Sequence, residues 1–394
     1  MRTNSIPLRA APLGYGHQCI DEDDIKAVVA ALRDDFITQG PRLEEFERAV
    51  ANYCNARYGV AFSSGTAALH AACAAAGLGP GNEAITSPLT FVATANAVVY
   101  CGARPVFADI EADTLTIDPV EIRRRLTDRT KVLLPVDFAG LPANLDKIRE
   151  IAAQRNLVVI EDAAHSLGSK YYGRKVGSLS DMTVLSFHPV KAITTGEGGM
   201  VLTDDERFYE RLRTLRHHGI LRDRTRLLRD DGPWYYEIHE LGHNFRVTDF
   251  QCALGLSQLG KLDNFLERRR KIAARYTQVF REFPEIILQA EPPAYTSAYH
   301  LYVLQLEDKM IDCSRREVYD ALWSERVRVG VHYIPVHHQP FYQQRFGCRP
   351  GDYPKTERYY SRAITLPLYP AMTDGEVEYV IEAVRRVISR GRRQ

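Results

Sequence analysis

The chain has 394 residues, 45% hydrophobic and 26% charged, enough to bury a large core and to build about two structural domains. Its 51 lysines and arginines stand against 50 acidic residues, a net charge of +1, so nothing in the charge points to nucleic acid, and the clusters Arg123–Arg125 and Arg268–Arg270 are expected to be solvated helix faces. Seven scattered cysteines without a C-x-x-C pair argue against a disulfide framework or a zinc site, and no run nears the roughly eighteen apolar residues of a membrane span, so a reducing cytoplasm, no membrane and no metal are expected.

In chain order, IDEDDIKAVVAALRDD opens with Asp21 as N-cap and sets Ile25, Val28, Val29 and Leu32 at i, i+3, i+4 and i+7, which predicts an amphipathic helix. A second helix follows Gly40-Pro41. From residue 58 to LVVIEDA at 157–163, short β-branched runs alternate with helical stretches, the pattern of an α/β fold whose mostly parallel sheet is covered on both faces. MTVLSF and GMVLT, at 182–187 and 199–203, lie too close for a crossover helix and predict an antiparallel pair. Helix returns in DDERFYERLRTLRHHG. Residues 221–239 are charged and aromatic; a role in substrate choice stays open, and the structural alternative is a solvated loop with Trp234 and Tyr235 packed as a local anchor. Asp249 to Phe280 is expected as a long helix broken once, leading from a large domain (1–265) into a smaller α+β domain (266–394) with a frayed end at Arg390–Gln394.

Three pieces carry chemistry. SSGTAAL ends a strand and opens a helix, so the amides of Gly65 and Thr66 and the hydroxyls of Ser64 and Thr66 meet where a phosphate is welcome; a plain Ser N-cap is the structural alternative. In VVIEDAAHS, Glu161 and Asp162 cannot face the same way, so one of them stands at the strand's carboxyl edge, where open α/β sheets bind ligands. His165 follows, either a ligand contact or a core histidine. Twenty-nine residues after Asp162, Lys191 sits in SFHPVKAITTGEGGM among hydroxyls and glycines that let the backbone approach another group. Together they are what a pyridoxal 5′-phosphate enzyme requires: an amine for the aldehyde, a carboxylate for the pyridine nitrogen and a helix start for the phosphate.

SGTAAL, TFVATANA, EDAAHSLGS, SFHPVKAITTGEGGM, RHHG, GHNFRVTDFQCALGLSQL and VHYIPVH resemble, in order and spacing across nearly the whole chain, the sugar aminotransferases of the DegT/DnrJ/EryC1/StrS family. The resemblance implies the aspartate aminotransferase-like fold (type I of the pyridoxal phosphate transferases), with Lys191 as covalent attachment point and proton shuttle and Asp162 on the pyridine nitrogen. It further implies that Phe91 stacks on the cofactor ring, that His165 lies near the ring hydroxyl, and that Ser64, Gly65, Thr66 and Ser186 bind phosphate. Asn244 is implied to reach that phosphate from the other subunit of a homodimer. Tyr15, Asp35, Phe36, Ile37, Thr38, His332 and Tyr333 match positions that touch the nucleotide sugar. The FHPVKAITTGEGG, HNFR and VHY-P segments are most like the aminotransferase of pseudaminic acid biosynthesis, which implies L-glutamate as donor, 2-oxoglutarate as its product and a UDP-linked 4-keto-6-deoxy sugar as acceptor. His217 and His218 are expected as capping and interface residues. The family's sugar dehydratases carry a histidine at the place of Lys191, and a non-catalytic binding module would have no need of the set Lys191, Asp162, Ser186.

Overall fold

Asp21 caps the first helix as expected, its carboxylate accepting from the amides of Asp23 and Asp24 at 3.0 and 3.2 Å. The computed structural model describes residues 8–393. Helices α1 (Glu22–Ala31) and α2 (Pro41–Tyr53) precede an alternation of β1 (Tyr58–Phe62), α3 (Gly65–Ala75), β2 (Glu83–Thr86), α4 (Val92–Tyr100), β3 (Arg104–Phe107), α5 (Pro119–Arg125), β4 (Thr130–Leu134), α6 (Leu145–Arg155) and β5 (Val158–Asp162). Then come β6 (Lys170–Tyr171), β7 (Arg174–Lys175), β8 (Met182–Ser186), β9 (Gly199–Thr203), α7 (Glu206–Arg216), β10 (Ile220–Leu221), β11 (Glu237–Ile238), α8 (Asp249–Leu259) and α9 (Leu262–Phe280). The chain closes with β12 (Ile286–Leu288), β13 (Tyr295–Thr296), β14 (Tyr302–Leu306), α10 (Arg315–Ser324), α11 (Pro340–Phe346), α12 (Pro354–Arg362), β15 (Ala363–Leu366) and α13 (Asp374–Arg390).

Seven strands form the main sheet in the order β1-β9-β8-β5-β4-β2-β3, and β9 alone runs antiparallel to both its neighbours. Side chains alternate between two apolar layers. Ala61, Leu133, Val159 and Leu185 join Phe46 and Val50 of α2 and Ile148 of α6 on one face, whereas Phe62, Val132, Ile160 and Val184 meet α3, α4 and α7 on the other. Burial on both sides is why these strands are apolar runs. Strand β3 escapes the sequence pattern because it is a four-residue edge strand containing Pro105, which an edge tolerates.

The second core gathers the later half of α9, the antiparallel sheet β12-β14-β15, α10 and α13. Leu13 packs into it, tied by Leu13 N to Arg326 O and Arg328 N to Leu13 O, both 2.9 Å, and Leu368 N holds the Tyr15 carbonyl at 3.1 Å.

Four expectations are corrected. Arg269 is not solvated: it is 1% exposed on the same stripe of α9 as Leu266, Ile272 and Tyr276, and its Nη1 donates to the carbonyls of Leu368 (3.0 Å), Tyr299 and His300 (both 3.4 Å). In α1 the buried face is Asp24 and Ala31, while Ile25, Val29 and Leu32 are exposed. Asp24 wins the interior because Ser257, Gln258 and Lys261 satisfy both its oxygens at 2.6–2.9 Å. The chain end is pinned by the pairs Arg392–Glu285 and Arg393–Asp312, with Gln394 outside the described residues. Trp234 is 73% exposed instead of packed, since the β10-β11 hairpin that carries it has too few strands to bury it.

Candidate active site

Strand β5 delivers its two carboxylates to opposite sides. Glu161 is fully buried and accepts from Thr183 Oγ1 (3.0 Å) and Ser180 Oγ (3.2 Å), while Asp162 turns to a cavity of about 270 Å³ at the carboxyl edge of the sheet. There Oδ1 takes the Ala164 amide at 3.2 Å and Oδ2 takes Thr94 Oγ1 at 2.6 Å, with Thr90 Oγ1 behind Thr94 at 2.6 Å. Burial pushes the Asp162 carboxyl up, and Thr94, the Ala164 amide and Lys191 pull it back.

Lys191 reaches the same cavity from the turn after β8. Hydroxyls brace that turn: Thr194 Oγ1 donates to Phe187 O (2.9 Å), Thr195 Oγ1 to Glu197 O (2.7 Å), and Gly196, at φ +79°, donates its amide to Thr194 Oγ1 (2.9 Å). Burial brings the Lys191 amine down to about 8; Asp162 opposes the shift and Arg269 adds to it. An amine so placed is half-neutral near pH 8, ready to act as nucleophile and base.

At the N-terminus of α3, Ser64 caps the helix by accepting from Ala67 N at 3.1 Å, so the structural role and the lining role coincide. The first-turn amides of Gly65 and Thr66 have no intrahelical acceptor. Gly65 approaches Ser186 so closely that a Cβ on it would stand 3.0 Å from the serine Cβ, and one on Gly199 would fall 2.5 Å from Ser64 O. This close fit of β9, β8 and α3 leaves an anion cradle of backbone amides with the Ser64, Thr66 and Ser186 hydroxyls around it.

Phe91, 55% exposed, forms part of the rim, its ring 5.9 Å from that of Tyr333. His165 is buried, with Nε2 3.1 Å from Tyr333 Oη and Nδ1 without a partner among the described residues, so it is no backbone-satisfied core histidine. Burial and the nearby Lys191 hold it well below its usual range, and burial brings His332 down to about 4. His332 Nδ1 lies 2.9 Å from Thr365 Oγ1 and its ring 5.1 Å from that of Tyr15.

The cavity therefore unites Lys191, Asp162, Ser64, Gly65, Thr66, Phe91, His165, Ser186, Tyr15, His332 and Tyr333. Asn244 lies outside it, bridged to His217, which ends α7 and meets Arg246 at 2.8 Å. Asp35–Thr38 also lie outside, with Phe36 and Ile37 exposed and Thr38 bridged to Thr248 before α8. Sequence reasoning missed Thr90, Thr94 and His300. The threonines stand in the TFVATANA motif, Thr94 in the first turn of α4 and Thr90 just before its N-cap Phe91, and their spacing of four was the available signal. His300, whose ring is 4.2 Å from that of His165, had no local signal because 134 residues separate the two.

These residues fit pyridoxal 5′-phosphate: the cradle suits the phosphate, the lysine the aldehyde, the carboxylate the ring nitrogen, and the orphaned His165 Nδ1 shows polar capacity that the chain itself leaves unused.

The sequence model of the DegT/DnrJ/EryC1/StrS aminotransferase family matches residues 18–385. The chain is 42% identical over 377 residues to spore coat polysaccharide biosynthesis protein SpsC of Bacillus subtilis (strain 168), covering 95% of this chain and 97% of SpsC. Its fold superposes with a TM-score of 0.89 and 31% identity on Helicobacter pylori PseC, an aminotransferase involved in the biosynthesis of pseudoaminic acid, covering 96% of this chain and all of PseC. The PLP form of Spr1654 from Streptococcus pneumoniae matches with the same score and identity over 96% of this chain and 99% of its own. Matched by the family model through both of its cores and folded like the family's solved members, the chain belongs to the DegT/DnrJ/EryC1/StrS family and is a sugar aminotransferase that uses pyridoxal 5′-phosphate.

Proposed function

We propose that the chain moves the amino group of L-glutamate to the C-4 keto group of UDP-2-acetamido-2,6-dideoxy-L-arabino-hexos-4-ulose, the amination step of the pseudaminic acid route, with Lys191 and Asp162 as its catalytic residues. The observation that carries the choice of sugar is the likeness to PseC along 96% of the chain. When bound, the cofactor supplies an electron sink that lets a C–H bond beside the transferred nitrogen ionise. Lys191 takes that proton from the donor's α carbon in the first half-reaction and returns a proton to the sugar carbon in the second. Asp162, oriented by Thr94 and the Ala164 amide, holds positive charge on the ring nitrogen. Gly65, Thr66, Ser64 and Ser186 take the phosphate, Phe91 packs on the ring, and His165 stands by the ring hydroxyl. Tyr15, His332 and Tyr333 line the sugar side.

The working unit proposed is a homodimer in the cytoplasm. Asn244 and Asp35–Thr38 fall outside their own chain's cavity, where residues serving a second copy's site belong, and the exposed apolar stripe Ile25, Val29, Leu32, Phe36, Ile37 fits burial against that copy. No described helix is long and apolar enough to cross a membrane. The proposed division into domains 1–265 and 266–394 falls within α9, whose early residues Leu262 and Leu266 pack on the first core and whose later residues Ile272 to Phe280 pack on the second.

A second reading is favoured by the 42% identity to SpsC: the acceptor is a different nucleotide-linked 3- or 4-keto sugar. The deciding experiment incubates the cofactor-loaded protein with L-glutamate and a panel of UDP-linked and other nucleotide-linked keto sugars, with products identified by mass and NMR. Amination at C-4 of the L-arabino substrate alone supports the proposal; preference for another sugar moves the pathway and keeps the chemistry. A loaded, folded protein that aminates none would return the chain to the binding-module reading. Lys191→Ala is expected to abolish turnover with the fold intact.

A further inference from the structure

Beyond the cavity, the segment that presents His332 and Tyr333 runs on into a one-turn 3-10 helix, Val336–His338, packed against α12. Two consecutive histidines meet one carboxylate there. His337 is fully buried with Nε2 2.9 Å from Glu357 Oε1, and His338 Nε2 lies 3.5 Å from the same oxygen. The three donor atoms lie within 4.8 Å of one another.

A hydrogen bond accounts for His337 Nε2, though its Nδ1 is buried without a partner among the described residues, and none accounts for the neighbouring His338 Nε2. Glu357 Oε1 already accepts from His337 and from the Gly351 amide at 2.7 Å, and His338 Nε2, buried and 3.5 Å from that oxygen, has no hydrogen-bond partner among the described residues. A buried imidazole nitrogen aimed at a carboxylate without bonding to it is costly unless something bridges the two. Around a tetrahedral zinc with ligands at about 2.0–2.1 Å, neighbouring donor atoms stand about 3.3 Å apart. The two histidine-to-carboxylate distances, 2.9 and 3.5 Å, bracket that edge, and the edge between the two imidazoles, within 4.8 Å, is the one a metal would draw in.

We propose that His337, His338 and Glu357 form a structural Zn²⁺ site of this enzyme, completed by solvent on the side where His338 and Glu357 are partly exposed. Two imidazoles and one carboxylate are a borderline-hard donor set that suits zinc. None of the three lines the cavity of Lys191, so the metal acts on architecture. Glu357 shares α12 with Tyr359, whose hydroxyl donates to the His332 carbonyl at 2.8 Å, and Val336 N binds Pro88 O at 2.9 Å. Zinc thus clamps α12 to the segment that forms the sugar-side wall.

The test uses the untagged, cofactor-loaded full chain, stripped with chelator, incubated with Zn²⁺ or Co²⁺ and desalted. Elemental analysis is expected to find one Zn²⁺ per chain, Co²⁺ to give a tetrahedral visible spectrum, and Zn²⁺ to raise the melting temperature. His338→Leu, a partly exposed position, is expected to weaken binding at least about tenfold and to lose both the spectrum and the thermal shift. Glu357→Gln is expected to do the same, and the metal-free melting temperatures show whether each variant folds. Absence of retained metal in the wild type, or equal retention and spectra in wild type and His338→Leu, overturns the site.

Discussion

The proposed chemistry turns on how Lys191 and Asp162 are held. Lys191 titrates near 8 against 10.5 for an ordinary lysine, chiefly through burial, so between those values the unfolded chain binds more protons than the folded one. Its contribution to stability therefore rises with pH from about 8 to 10.5 and is a constant penalty below. Without cofactor, Lys191→Met is expected to melt above the wild type at pH 7, the gap closing as pH approaches 10; a gap that does not depend on pH contradicts the shifted amine. Thr94 is the residue on which Asp162 depends. Thr94→Val keeps the shape and removes the donor, and kcat is expected to fall by roughly 10²-fold with little change in melting temperature. Equal losses in kcat and stability would make Thr94 a packing residue only.

At the scale of elements, the cradle exists because β9 runs against β8 and brings Gly199 onto the turn that starts α3. Gly199→Ala is expected to push Ser64 and Gly65 out of place, costing about 1–3 kcal/mol and weakening cofactor retention roughly tenfold. A cofactor titration and a melting curve read both, and an unchanged affinity would remove the cradle from phosphate binding. This part of the fold was legible, since the short gap between MTVLSF and GMVLT rules out a crossover. The single break expected in Asp249–Phe280 is present, and the structure puts it at Gly260 and Lys261 between α8 and α9. Helix α1 was legible as a helix but not in its orientation. Periodicity identifies a stripe without naming what covers it, and the partners of Asp24 lie more than 230 residues away.

For the whole molecule, the proposed shared site is open to complementation. Lys191→Ala and Asn244→Asp chains are each expected to be inactive, and the mixture, after subunit exchange, is expected to recover roughly a quarter of wild-type activity, because half the dimers hold one intact site. Recovery absent despite proven exchange assigns each site to one chain. Ile25→Asp with Val29→Asp is expected to yield monomers by light scattering.

The sequence by itself determined the class of the fold and most of the strand and helix alternation from residue 58 onward, β3 excepted, and it brought forward Lys191, the pair Glu161 and Asp162, and the start of α3 as candidates, because each depends on local periodicity or on an ordered run of motifs. The tertiary structure alone decided which carboxylate of Glu161 and Asp162 faces the cavity, that Arg269 is buried among carbonyls, and that Thr94, His300 and the His337–His338–Glu357 cluster exist as constellations. The physical reason is common to all of them: charge, burial and hydrogen-bond partnership are properties of neighbours brought together across long separations in the chain, and periodicity does not encode them.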